Sequence, residues 1–257
     1  MSISPTEVNR ATTTVAAKES TIVFSIRSAV FALTLVLFAA GPLAAAGGSF
    51  IPAGQIDIRE LLPAPPADGS AAQADELFEL HRIERERTPE QIAAARADEA
   101  ADDLFIYRSV LGPEFSARSL PLTVALSHAL AANEPGVVNP GKRYFNRKRP
   151  FVYDPTLHNV CDAKRGSYPS GHTTNGYVQG LVLAMMVPEY RDKIFARADA
   201  YAHNRLVCGV HYPSDLAASK SVAYAMLGAI ASNPTFAAQF AAAQAELRAA
   251  LKLKPAP

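Results

Sequence analysis

Residues 168–187 read YPSGHTTNGYVQGLVLAMMV, a helix whose start is marked in the chain. Ser170 is placed to cap the first turn, and the apolar run Leu181–Val187 forms the helix body. Gly171 lets another backbone approach closely, with no side chain in the way. Free amides at a helix start attract an anion, and a histidine held there, His172, can hand over a proton. A capped helix with an incidental histidine explains the same residues. The tetrapeptide PSGH arises by chance in roughly one chain in a thousand of this length.

Working outward, Thr88-Pro89-Glu90-Gln91 is a second helix start, with a Thr cap, Pro at the first position and Gln three residues on. The pattern is helical from Ala71 to about Leu111 and broken near Arg87. Apolar positions from Ile92 through Leu104, Ile106 and Val110 fit a half-buried helix better than a strand. Further helices are expected over Leu122–Asn133, Ile194–Val207, Leu216–Ile230 and Phe236–Leu251, each bounded by Pro, Gly, Ser or Asn. The run HRIERER at 81–87 reads as a solvated face. Residues 47–70, rich in Pro, Gly and Ala, read as an irregular lead-in. With no alternating strand pattern and no internal repeat, the expected fold is all-α, one helical bundle over 71–257.

Composition narrows the function without naming it. The 257 residues are 49% hydrophobic and 19% charged, which suits a globular chain with a real core. Twenty-five basic residues against 24 acidic leave a net charge of +1, so no nucleic-acid partner is expected on bulk charge. Two cysteines build neither a disulfide-rich scaffold nor a four-cysteine zinc site.

The amino terminus reads as an address. Lys18 and Arg27 precede the apolar stretch AVFALTLVLFAA at 29–40, followed by Gly41-Pro42 and an A-x-A sequence ending at Ala46. Twelve helical residues rise only about 18 Å, against a bilayer core of roughly 30 Å. A signal peptide over 1–46, cleaved after Ala46, is therefore expected, with an uncleaved anchor as the alternative. The product would be periplasmic or secreted, with no stable membrane span after cleavage. In an oxidising compartment Cys161 and Cys208 form a natural disulfide; in the cytosol they would be two buried thiols.

Two more segments stand out. The stretch GKRYFNRKRP at 141–150 places five cations in the eight residues from Lys142 to Arg149. Seven residues separate Lys142 and Arg149, two helical turns, so both are expected on one face of a helix that Pro150 ends. A solvated basic helix end accounts for the run equally well. In NRLVCGVHYPSD at 204–215, His211 and Asp215 lie four apart across a Tyr212-Pro213 turn, with Arg205 on the preceding helix. A carboxylate at that reach can accept the Nδ1 proton of His211 and leave Nε2 as a free nucleophile or base. An ordinary His–Asp contact and a two-ligand metal half-site are the other readings. Residues 141–170 hold seven Lys or Arg against only Asp154 and Asp162, which favours an anionic guest over a metal ion.

In order, the chain shows K-x6-R-P at 142–150, PSGH at 169–172 and R-x5-H-x3-D at 205–215. This set resembles the type 2 phosphatidic acid phosphatase superfamily, and most of all its bacterial class A non-specific acid phosphatases. GSYPSGHT at 166–173 and CGVH at 208–211 carry the closer likeness, which spans roughly residues 75–230. The resemblance implies an all-helical acid phosphatase fold and hydrolysis of phosphate monoesters. It implies that His211 attacks phosphorus, that Asp215 orients its ring, and that His172 protonates the leaving alcohol and then activates water. Lys142, Arg149, Arg205, Ser170 and the Gly171 amide would hold the phosphoryl oxygens. Small-molecule phosphate esters are the implied partners, no metal or other cofactor is needed, and homo-oligomers occur among such enzymes. Asn204 stands where the family usually carries Ser, and its amide can still donate a hydrogen bond. His81, His128, His158 and His203 match no motif and read as structural or surface residues; Tyr168 either lines the pocket mouth or packs in the core.

Two other functions share these residues. A vanadate-dependent haloperoxidase would use every motif, since vanadate mimics the phosphoryl transition state, but such enzymes are typically much longer. A non-catalytic periplasmic anion-binding protein would use the 142–149 cluster and leave the His–Asp pair unexplained.

Overall fold

The computed structural model describes residues 49–255, so the expected leader over 1–46 lies outside the described residues. The helices are α1 (Ile58–Leu61), α2 (Ala71–Glu86), α3 (Pro89–Glu99), α4 (Arg108–Leu111), α5 (Pro121–Ala131), α6 (Glu134–Phe145), α7 (Pro150–Tyr153), α8 (Gly171–Met186), α9 (Arg191–Val207), α10 (Pro213–Ala231) and α11 (Pro234–Ala250). Short 3-10 turns cover Leu104–Tyr107 and Pro188–Tyr190, and the described residues contain no strand. No helix among them is long and apolar enough to cross a membrane.

The opening stretch of the sequence becomes the centre of the bundle. Ser170 caps α8 by accepting a hydrogen bond from the Thr173 amide, and every residue from Thr173 to Met186 except Met185 is buried. A helix buried all round has to be enclosed by other helices. Here α5, α6, α9, α10 and α11 all pack on it. At Gly176 a side-chain carbon would stand 2.6 Å from the Tyr201 ring, so glycine is what lets α9 come this close. Thr88 and Gln91 form the expected reciprocal cap on α3.

Four expectations change. The pattern from Ile92 to Val110 is not one helix: α3 stops at Glu99, and Asp103 caps a separate 3-10 turn by accepting from the Phe105 amide. Local capping outcompetes the continued periodicity. The 81–87 run is not wholly solvated either. Ile83 is buried, and Arg87 turns inward to donate to the carbonyls of Val207 and His158, both at 2.7 Å. In the lead-in, Phe50, Ile51, Ile58 and Leu62 are buried and Ile58–Leu61 forms α1, so that segment belongs to the core and is not wholly irregular.

The fourth change concerns the cationic run. Helix α6 ends at Phe145, where Asn146 adopts a left-handed conformation (φ 45°). Arg149 is extended and Pro150 opens α7 rather than closing α6. Proline restricts the residue before it to extended backbone and suits the first position of a helix. Lys142 and Arg149 therefore come from separate elements. Between them Arg147 and Arg149 are buried while Lys148 is exposed, the alternation of a non-helical segment.

Cys161 and Cys208 are joined in a disulfide, with Cα atoms 5.2 Å apart. It ties the loop after α7 to the end of α9, three residues before His211. A cross-link spanning 47 residues contributes about 4 kcal/mol in the chain-entropy account.

Candidate active site

One cleft, of about 440 Å³, collects most of the residues expected to act together: Lys142, Arg149, Gly171, His172, Arg205 and His211. Lys142 comes from the last turn of α6, Arg149 from the segment before α7, His172 from the first turn of α8 and Arg205 from the last turn of α9. His211 follows a turn in which Gly209 takes a φ of 71°, a conformation that glycine adopts without strain.

His211 is 2% exposed and Asp215 fully buried. Asp215 Oδ2 lies 3.0 Å from His211 Nδ1 and accepts the Tyr212 amide at 2.9 Å. Arg149 Nη1 lies 2.7 Å from His211 Nε2. A guanidinium only donates, so Nε2 presents its lone pair and Nδ1 carries the hydrogen given to Asp215. Burial and the neighbouring Arg149 hold the ring well below the usual histidine range, which keeps it neutral. Burial raises the Asp215 carboxyl, and Arg147 works against that rise.

The cationic wall is only partly satisfied by the protein itself: Arg149 gives hydrogen bonds from Nε to the Arg165 carbonyl and from Nη1 to the Val210 carbonyl, both at 2.7 Å, while Arg205 and Lys142 are less well served. Arg205 is 2% exposed, its Nε has no hydrogen-bond partner, and its nearest carboxylate, Glu99, stands 3.8 Å away. Lys142 Nζ gives a hydrogen bond to the Gly166 carbonyl at 2.9 Å and no carboxylate pairs with it. Burial, then Arg149, bring Lys142 down to about 7, and burial, then Asp215 and Arg205 acting in opposite senses, leave Arg149 at about 10. Buried guanidinium and ammonium groups with so little direct neutralisation are costly, and an anion in the cleft offsets that cost. Among the described residues no three His, Cys, Asp or Glu side chains cluster as a metal site.

His172 also lines the cleft, its Nε2 giving a hydrogen bond to the Glu99 carbonyl at 3.1 Å. A carbonyl only accepts, so Nε2 carries a hydrogen and Nδ1 is the atom that gains or loses the second proton. Burial, then Arg205, lower this ring to about 4.

Other expected residues fall elsewhere. Ser170 is fully buried; its hydroxyl caps α8 and its amide donates to Ser219 Oγ at 2.8 Å, so Gly171 rather than Ser170 lines the cleft. Asn204 points away from the cleft and donates to Asp98 at 2.7 Å, tying α9 to α3. Tyr168 packs in the core against Phe145 and donates to the Pro63 carbonyl at 2.9 Å. His81 contacts Asp154 at 2.9 Å and His158 contacts Glu84 at 2.9 Å, both away from the cleft.

Sequence reasoning passed over two groups. Glu134, from the first turn of α6, lines the cleft beside Gly171 and is raised by burial. Arg147 lies behind His211 and gives Nη1 to Asp215 Oδ1 at 2.7 Å. The alternation Arg147-Lys148-Arg149 ahead of a proline was the available signal for Arg147. Glu134 offered none.

Comparisons with known proteins bear on the family rather than on individual site residues. Residues 117–237 match the PAP2 superfamily. The chain is 32% identical to an acid phosphatase of Zymomonas mobilis over 74% of its length and 75% of that protein's. It is likewise 32% identical to a non-specific acid phosphatase of Providencia stuartii, over 74% of its length and 81% of that protein's. The fold alone is shared with a bacterial vanadium-dependent iodoperoxidase, at 16% identity and a TM-score of 0.53 over 69% of this chain and 53% of that one. The ordered motifs, the helical architecture and these similarities together place the chain in the PAP2 superfamily.

Proposed function

We propose that this chain is an acid phosphatase that hydrolyses phosphate monoesters through a phosphohistidine on His211, without a metal ion. The observation that carries the reading is the His211 ring, neutral, fixed by Asp215, and facing three poorly neutralised cations. The family and the phosphatase relatives support phosphatase chemistry in general. The covalent step and the range of esters are this proposal's own.

The Nε2 lone pair of His211 attacks phosphorus while Arg149 exchanges its hold on that nitrogen for a phosphoryl oxygen. Lys142 and Arg205 take up the charge on the other oxygens, the electrostatic help that phosphoryl transfer chiefly needs. The P–O bond to the alcohol breaks, and His172 gives its Nδ1 proton to the departing oxygen. His172, now neutral, accepts a proton from water, whose oxygen attacks the phosphohistidine and releases inorganic phosphate. Broad specificity is expected, because the cleft grips the phosphoryl group with charges common to all such esters. The 29–40 apolar stretch, the A-x-A sequence and the disulfide support export to the periplasm or beyond.

The pH dependence follows in sign from two groups. His172 is lowered to about 4 and must be protonated to act as an acid; Lys142, lowered to about 7, must be protonated to bind. A bound phosphoryl dianion raises both. Activity is therefore expected to be highest under acid conditions and to decline as pH rises. Hydrolysis of para-nitrophenyl phosphate by residues 47–257 in excess EDTA, followed across pH, checks this. Turnover that persists in the chelator, is blocked by vanadate and falls toward alkaline pH is the expected result. Turnover that disappears with EDTA and returns with added metal contradicts it.

A further inference from the structure

We propose that Arg147 is a positioning residue that acts on His211 through Asp215, with Glu76 as the seat that aims its guanidinium. The inference rests on the phosphohistidine reading and assigns work to a residue that touches no substrate.

The geometry is a buried relay. Arg147 Nη1 reaches Asp215 Oδ1 and Ser214 Oγ, each at 2.7 Å, and Nη2 reaches Glu76 Oε2 at 2.5 Å. Glu76 Oε1 accepts the Ser214 amide at 2.7 Å, in the first turn of α10, so one carboxylate holds both the arginine and the helix that carries Asp215. The guanidinium carbon lies 3.8 Å from the centre of the Tyr212 ring, which fixes the plane of the fork. The side chains of Arg147 and Asp215 are 2% and 0% exposed. Arg147 does not line the cleft, so it cannot be one of the phosphate clamps.

Asp215 is thereby given three donors: Arg147 on one oxygen, and the Tyr212 amide and His211 Nδ1 on the other. A fully buried carboxylate with a single imidazole partner would favour its neutral form. The Arg147 charge favours the ionised form against that burial, and the hydrogen bond to Oδ1 turns Oδ2 toward the ring. Together these settle the proton on Nδ1 and leave Nε2 unprotonated. Glu76 makes this affordable in a buried site by supplying the arginine with a second counterion. The relay extends from α2, far upstream of every motif in the sequence, to the nucleophile.

The test is a double-mutant cycle with two readouts. Arg147→Met is expected to lower kcat roughly a hundredfold while the inhibition constant for inorganic phosphate stays within about threefold. In an Asp215→Asn background the same change is expected to alter kcat less than about threefold, because the group it acts through is gone. Additive losses in the double variant, or equal losses in kcat and phosphate affinity, overturn the proposal. Nitrogen NMR of labelled histidine reads the ring directly at neutral pH: His211 is expected as the Nδ1–H tautomer in the unaltered protein and as a mixture in Arg147→Met. An unchanged tautomer overturns the proposal. Should Arg147→Met fail to fold, Arg147→Lys keeps the charge without the fork and is expected to lose about tenfold in kcat alone; a kcat within twofold of the unaltered protein overturns it. An unaltered protein with no phosphatase turnover instead sinks the functional reading, and the NMR comparison still decides the role of Arg147.

Discussion

His211→Ala is expected to abolish turnover, with kcat falling about 10⁵-fold or more, on the scale seen when a covalent nucleophile is removed. At 1.36 kcal/mol per factor of ten, that is close to 7 kcal/mol of barrier. No neighbour can take over. His172 is committed to the Glu99 carbonyl through Nε2, and Asp215 lies buried behind the missing ring. Lys142, Arg149 and Arg205 remain, so inorganic phosphate should still bind with affinity within about tenfold of the unaltered protein. Steady-state hydrolysis together with phosphate inhibition checks both halves. Retention of more than a few per cent of turnover removes His211 from the nucleophile's role.

Asp215→Asn has the second largest expected effect, a loss of about 10³- to 10⁴-fold in kcat with phosphate affinity little changed. The loss comes from a mismatch of donors and acceptors. The two carboxylate oxygens accept from Arg147, the Tyr212 amide and His211 Nδ1. An amide has one acceptor oxygen and one donor nitrogen. With its nitrogen toward Arg147 it opposes a buried cation; with its nitrogen toward His211 it drives the ring proton to Nε2 and occupies the attacking lone pair. Glu76 continues to neutralise Arg147, so the fold is expected to survive. Parallel measurement of kcat and phosphate inhibition distinguishes this from a collapsed cleft, in which both would fail together.

How much of this was legible depended on whether the signal was local. Caps are local, so the starts of α3 and α8 were readable from Thr88-Pro89 and from Ser170. The His211–Asp215 pair was readable because four residues separate it and a turn lies between. Pro150 was misread because proline both stops one helix and starts the next, and the left-handed Asn146 decides between those outcomes. Asn204, flagged as a departure at a phosphate contact, instead bonds Asp98, a partner 106 residues away that no local pattern reveals. Glu76 and Arg147 meet across 71 residues and surround a buried carboxylate, so the relay behind the nucleophile became visible only in three dimensions. Ser170 carried two compatible roles in sequence, helix cap and phosphate ligand, and its burial in the structure leaves the cap as the role its contacts describe.

The chemistry at His211 is the claim on which the rest depends, and rapid-quench trapping addresses it most directly. The protein is mixed with a radiolabelled phosphate monoester at acid pH, quenched in alkali within the first turnovers, and the labelled peptide identified by mass spectrometry. The account predicts one phosphoryl group per chain, stable to alkali, lost in acid, located on His211 and absent from His211→Ala. Rapid hydrolysis with no trapped label, or label on a serine or an aspartate, would contradict it.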